Sequence, residues 1–168
     1  MKLLQGVKMI KVDKDLLSSD CHIICHQCNC FRLWGKGLSE KIKKLYPEAY
    51  LVDNATESGS RIKLGSFSYV YVNDFKKNPQ IVVNLYCQYG YGKSTLIDFN
   101  MIEESIEELF YWVSHSKLKN IREEEKIRIG FPHYMGCSLL GWNKEKMLNI
   151  FKEFEDIYQD KVIVELYN

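Results

Sequence analysis

Two glycine-bearing loops hold the residues best suited to chemistry in this 168-residue chain. The first runs His26-Gln27-Cys28-Asn29-Cys30-Phe31-Arg32-Leu33-Trp34-Gly35-Lys36-Gly37, and the second Gly136-Cys137-Ser138-Leu139-Leu140-Gly141. Each falls between a pattern that reads as a strand and one that reads as a helix. Such a junction gathers backbone N–H groups without helical partners at the positive end of a helix dipole, which suits a phosphate. Glycine lets the backbone come close to an anion and accepts positive φ. Either loop by itself also reads as an ordinary turn. Two of them at one edge of a sheet can grip a diphosphate from both sides. Ligands of open α/β sheets bind outside the carboxyl ends of the strands.

Other residue types offer weaker chemistry. His133, where a strand enters the second loop, can serve as general acid or base near neutral pH, or can be a structural histidine bonded to backbone. His26 is a second candidate, and its place at the start of the first loop favours packing beneath it. Trp34 and Phe31 stack on a base or close over a ribose if their loop is exposed; otherwise Trp34 anchors that loop to the core. The run Cys21-His22-x-x-Cys25-His26-x-Cys28-x-Cys30 has metal-ligating residue types, but zinc sites pair ligands across a spacer and no second pair follows. Alternation along the strand also sends Cys21 and Cys25 to the face opposite His22 and His26. No metal or cofactor is expected. Gly90-Tyr91-Gly92-Lys93-Ser94-Thr95 is like the tail of a P-loop, but Cys87 stands where that motif needs its first glycine. It reads as a loop over the ligand, with Lys93 or Tyr91 on the rim.

The elements that must position these loops follow from periodicity. Residues 3–12 and 22–27 read as strands, the second apolar and buried. A helix starts at Gly37, carries Leu38, Ile42 and Leu45 on one face, and stops at Pro47. Residues 53–59 read as a polar surface connection. Strands are expected over 67–72 and 81–86. Asp98 caps a helix to about His115, with Ile102, Ile106, Leu109 and Val113 at helical spacing. A strand over 126–131, a helix over 143–156 and a strand over 161–167 complete the pattern. This alternation predicts a single α/β domain over residues 1–168, with a central sheet.

Composition narrows the function. Hydrophobic residues make up 46% and aromatics 13% of the chain, enough for a sizeable core. No stretch approaches the about 18 apolar residues of a membrane span. Met-Lys-Leu-Leu-Gln-Gly lacks the apolar region of a signal peptide, so a cytoplasmic location is expected. The six cysteines are therefore read as thiols. With 23 basic and 22 acidic residues the net charge is +1, which gives no strong nucleic-acid signal.

The first loop with the following Ile42-Lys43-Lys44-Leu45-Tyr46-Pro47, the segment Asn84-Leu85-Tyr86-Cys87-Gln88-Tyr89-Gly90, and Ile129-Gly130-Phe131-Pro132 through Leu139 together resemble macro domains. The order and spacing match across nearly the whole chain. The nearest branch holds the ADP-ribose-1''-phosphate phosphatases and the hydrolases that remove ADP-ribose from glutamate or DNA. The resemblance implies a three-layer α/β/α fold with a mixed, mostly parallel sheet, a monomer, and ADP-ribose or a derivative as ligand. An ADP-ribosylated macromolecule is a further possible partner.

Residue by residue, the resemblance implies that Asp15, with Leu16 beside it, accepts a hydrogen bond from the adenine amino group. A local turn is the other reading of Asp15. Asn29 matches the asparagine that bonds the distal ribose or the group on it. Gln27, Trp34, Gly35, Gly37 and Gln88 fall in the first loop and central strand. Gly136, Cys137, Ser138 and Leu139 match the loop around the diphosphate. Ser138 stands where the family usually has glycine, which narrows the site or adds a hydroxyl. The branch that strips ADP-ribose from glutamate or DNA pairs a lysine with an aspartate. Here Gln88 takes the first position, and Gly141-Trp142-Asn143 offers no aspartate for the second. The lysyl-adduct mechanism is therefore not expected. Hydrolysis of a phosphate ester at the distal ribose is the expected reaction, with Asn29 holding the group and His133 moving the proton. A non-catalytic reader of ADP-ribose, and a hydrolase acting on modified protein or DNA through other residues, are the rivals.

Overall fold

The computed structural model describes residues 9–119 and 121–168. Along the chain lie β1 (Ile10–Val12), a 3-10 turn (Leu16–Ser18), β2 (Ile23–Asn29), α1 (Leu38–Leu45) and α2 (Pro47–Asn54). β3 (Phe67–Tyr71), β4 (Ile81–Gln88), α3 (Phe99–His115), β5 (Ile127–Pro132), α4 (Lys144–Tyr158) and β6 (Val162–Tyr167) follow. The strands form one six-stranded sheet in the order β1-β6-β5-β2-β4-β3. Every neighbouring pair is parallel except β3 with β4. The strand expected over residues 3–12 is seen from Ile10, and its earlier part lies outside the described residues.

Strands β2 and β4 are apolar on both faces because both faces are covered. Ile23, Cys25, Ile81, Val83 and Leu85 pack with Ile102, Ile106 and Leu109 of α3 and Met147 and Phe151 of α4. Ile24 and Val82 face the other way, with Ile42 of α1 and Ala49 of α2. Fully burying each such aliphatic side chain contributes about 1.5–3 kcal/mol, which fixes the three α/β/α layers. Cys21 departs from the expected alternation. It precedes β2 and packs with Ile24 and Tyr167, on the face opposite Cys25.

Local signals set the helix ends. Asp98 accepts the N–H groups of Asn100 and Met101, and Asn143 accepts that of Lys146. Pro47 ends α1 as expected and then opens α2 at its first turn, where its missing N–H costs nothing. The surface connection expected from residue 53 is a correction. Asp53 lies in α2 and is fully buried, because Trp34, Tyr86 and Lys63 satisfy its carboxylate.

Candidate functional site

The carboxyl ends of the parallel strands β2, β4 and β5 open into a cleft of about 780 Å³, inside the usual range for small-molecule sites. Both glycine loops line it. So do Gln27, Asn29, Trp34, Gly35, Gly37, Gln88, Gly136, Cys137, Ser138 and Leu139. Asp15 and Leu16 do not line it. Asp15 caps the 3-10 turn, accepting the N–H of Leu17, and pairs with Lys41 of α1 at 3.6 Å. Leu16 is buried against Gly130, where an added Cβ would lie 2.8 Å from its Cδ1.

Three side chains shape the first loop. The Asn29 carboxamide accepts the N–H groups of Phe31 and Leu33 and donates to the Leu33 carbonyl at 2.7 Å. Most of its bonding capacity is thus spent on its own loop, and one amide hydrogen stays available. Trp34 acts as the anchor. Its Nε1 donates to Asp53 Oδ2 at 2.7 Å, and its ring meets His26 and Tyr50 edge-on. His26 is buried beneath the loop, its Nε2 donating to Asn84 Oδ1 at 2.7 Å and its Nδ1 facing Ser39 Oγ at 3.3 Å. Burial lowers its pKa to about 4, against the opposing pull of Asn84 and Asp53. His26 is therefore a neutral ring that fixes the start of α1.

Gly37 introduces α1 with φ 99°, and no side chain caps the helix. The second loop is a chain of tight turns. Met135, Cys137 and Leu139 donate to Pro132, Tyr134 and Gly136 respectively. Gly136 takes φ 79°, and Trp142 Nε1 bonds the Met135 carbonyl at 3.1 Å. The loop is tied to the segment after β4 by Leu140 N–H to Thr95 and Ile97 N–H to Leu140. That segment brings Tyr91, Gly92 and Lys93 to the cleft wall.

Among the described residues, the N–H groups of Gly35, Lys36, Gly37, Leu38 and Ser39 have no acceptor within the chain, nor do those of Gly136 and Ser138. All seven residues line the cleft. The charged side chains of the lining, Lys36 and Lys93, are cationic, and no carboxylate is found there among the described residues. Backbone donors, a helix start and two ammonium groups make the cavity suited to an anion. At its floor the Gln27 amide donates to Gln88 Oε1, and Gln88 Nε2 donates to the Gly90 carbonyl at 2.9 Å.

His133 does not line the cleft. Its N–H donates to the Tyr167 carbonyl at 2.6 Å, so the residue is turned toward the end of β6. Its Nε2 is buried without a hydrogen-bond partner. Burial and Lys144 lower its pKa, with Asn168 opposing and Lys11 adding to the shift. Ser39, Tyr134 and Met135 line the cleft and were not singled out by sequence. Ser39 was within reach of a helix-start argument, two residues past Gly37. Asp53 gave no local signal, since its partners come from the first loop, from the segment before β3 and from β4.

No protein-family model matches the sequence. A protein of Enterobacteria phage T4, known as an uncharacterized 17.5 kDa protein of the tk-vs intergenic region, is 38% identical over 87 residues. That stretch is 51% of this chain and 56% of the phage protein. The macrodomain of Mycobacterium tuberculosis DarG superposes with a TM-score of 0.75 at 16% identity, covering 96% of this chain and 98% of that one. Thermosipho africanus DarTG, solved in complex with ADP-ribose, gives 0.63 at 16% identity over 94% of this chain and 40% of that one. The sheet order, the layers and these superpositions establish that the chain has the macrodomain fold.

Proposed function

We propose that the cleft binds ADP-ribose or a close derivative such as ADP-ribose-1''-phosphate, with the diphosphate held between the two glycine loops. The observation that carries this reading is the set of unpaired N–H groups, Gly35 to Ser39 on one wall and Gly136 and Ser138 on the other. Lys36 and Lys93 add positive charge to the same space. The fold is shared with a protein solved with ADP-ribose in place.

We further propose hydrolysis of a phosphate ester at the distal ribose. Water would add to phosphorus and the ribose oxygen would leave with a proton. The amides and lysines would stabilise charge developing on the phosphoryl oxygens, which is the electrostatic part of such catalysis. Asn29 retains one donor for this group. A second reading, a binding module without turnover, is favoured by a specific observation: the cleft lining carries no carboxylate among the described residues, and His133 lies outside it. Removal of ADP-ribose from protein or DNA is the remaining alternative, without the lysine that the resemblance associates with it at Gln88.

Calorimetric titration tests binding. ADP-ribose should bind more tightly than AMP, ATP or NAD, and a preference for ATP would remove the reading. Thermal unfolding gives an independent check, because a ligand at a hundred times its dissociation constant adds about 2.7 kcal/mol. Phosphate release from ADP-ribose-1''-phosphate, and ADP-ribose release from modified protein and DNA, separate the catalytic readings. Tight binding with none of these turnovers selects the binding module. A His133→Ala variant should bind and turn over as the parent does.

A further inference from the structure

A groove that shares no lining residue with the cleft lies where β3 meets α3 and α4. It is lined by Phe67 of β3, by Glu104, Glu107, Glu108, Tyr111 and Trp112 of α3, and by Tyr158 of α4, and encloses about 540 Å³. Beside it, Tyr69 lies against Trp112 with ring centroids 4.3 Å apart and planes tilted by 36°, and Phe67 lies 5.6 Å from the same indole. Tyr69 and Tyr111 are 40% and 58% exposed, so an aromatic surface continues out to solvent.

Helix α3 reads Phe-Asn-Met-Ile-Glu-Glu-Ser-Ile-Glu-Glu-Leu-Phe-Tyr-Trp-Val-Ser-His and holds no lysine or arginine. Glu103 with Glu107 and Glu104 with Glu108 stand one turn apart, a like-charge spacing that destabilises a helix. Among the described residues none of the four glutamates is in an ion pair. A cation laid along this stripe relieves the repulsion, and the faces of Trp112 and Tyr69 attract the same kind of group. The chain already uses this attraction next door, where Lys119 Nζ lies 5.6 Å from the Tyr71 ring centre.

Strand β3 supplies the backbone for such a partner. It lies at the end of the sheet and, among the described residues, pairs with β4 alone. Tyr86 N–H bonds the Ser66 carbonyl and Val72 N–H bonds that of Gln80, so even-numbered residues of β3 bond inward. The N–H and C=O of Phe67 and Tyr69 therefore point to the open edge. An extended chain can add there as a further strand.

We propose that the β3 edge and the glutamate stripe of α3 form a docking surface for an extended, arginine- or lysine-bearing segment of another protein. The segment pairs with β3 through its backbone and sets alternate cationic side chains against Trp112, Tyr69 and the glutamates. The surface is separate from the anion cleft and does not depend on what that cleft binds.

The test uses the full chain, a synthetic peptide of alternating arginine and valine, and a matched peptide of alternating glutamate and valine. Two-dimensional NMR should show the arginine peptide shifting the amides of Phe67, Tyr69 and Glu108 and the Trp112 indole, while residues of the two glycine loops stay still. A variant carrying Glu104→Gln, Glu107→Gln and Glu108→Gln changes only exposed side chains, and should weaken the arginine peptide about tenfold or more, as should raised salt. Equal binding of both peptides, arginine-peptide affinity unchanged in the triple variant, or shifts confined to other surfaces would each overturn the proposal.

Discussion

The indole nitrogen of Trp34, on the wall of the cleft, donates to the Oδ2 of Asp53, a carboxylate with no solvent exposure. The other oxygen of Asp53 accepts the Tyr86 hydroxyl at 2.7 Å and Lys63 Nζ at 3.4 Å. Lys63 in turn reaches the Cys30 carbonyl at 3.5 Å. The first loop is thereby held at both its beginning and its middle by one buried ion pair. Removing the carboxylate leaves an ammonium uncompensated in the core. Asp53→Ala should cost about 3–5 kcal/mol, read from the urea midpoint. Asp53→Asn, which keeps one acceptor oxygen, should cost less. An Asp53→Ala protein of parental stability would show that this network does not hold the loop.

His26 sets a pH limit on stability. Burial lowers its pKa from 6.5 to about 4 in the folded chain. Below pH 6.5 the unfolded chain binds a proton that the folded chain refuses, so stability falls with falling pH down to the folded value. The full loss is on the order of 3 kcal/mol. It should be complete near pH 4 and absent above pH 7, as read from urea midpoints across that range. A His26→Gln variant should flatten the slope in that window.

Glu165 acts in a more acidic window. Burial pushes its pKa up, but bonds from Arg128, Tyr167 and Cys21 outweigh it and leave the group below its ordinary 4.5. Arg128 Nε lies 2.6 Å from Oε1 and the Tyr167 hydroxyl 2.5 Å from Oε2. This contribution is present above pH 4.5 and is lost as pH drops through the folded value. Glu165→Gln should remove about 2 kcal/mol or more at neutral pH, and the variant should lose less than the parent on further acidification.

Two glycines separate binding from folding. A Cβ on Gly35 meets nothing within 4 Å, and its φ lies outside the left-handed region. Gly35→Val should therefore fold with a melting temperature close to the parent's while its side chain intrudes on the cleft. ADP-ribose affinity should fall about tenfold or more. Gly136 has φ 79°, and a Cβ there would come within 2.9 Å of Ile97 Cδ1. Gly136→Ala should lose about 1–3 kcal/mol of stability along with its affinity. A Gly35→Val protein that binds ADP-ribose normally would place the ligand elsewhere.

The sequence by itself determined the elements whose signals are local. Asp98 could be read as a cap and Pro47 as a stop because each acts on backbone within a few residues. Both glycine loops were legible for the same reason, since a strand-to-helix junction exposes its N–H groups wherever the sheet sits. Only the tertiary structure decided which side chains reach the cleft. His133 and Tyr134 are neighbours, yet Tyr134 lines the cleft while His133 is bonded at the end of β6. Asp53 looked like a surface carboxylate until Trp34, Lys63 and Tyr86 closed around it. A polar side chain's environment is set by partners far away in sequence, and no periodicity records them.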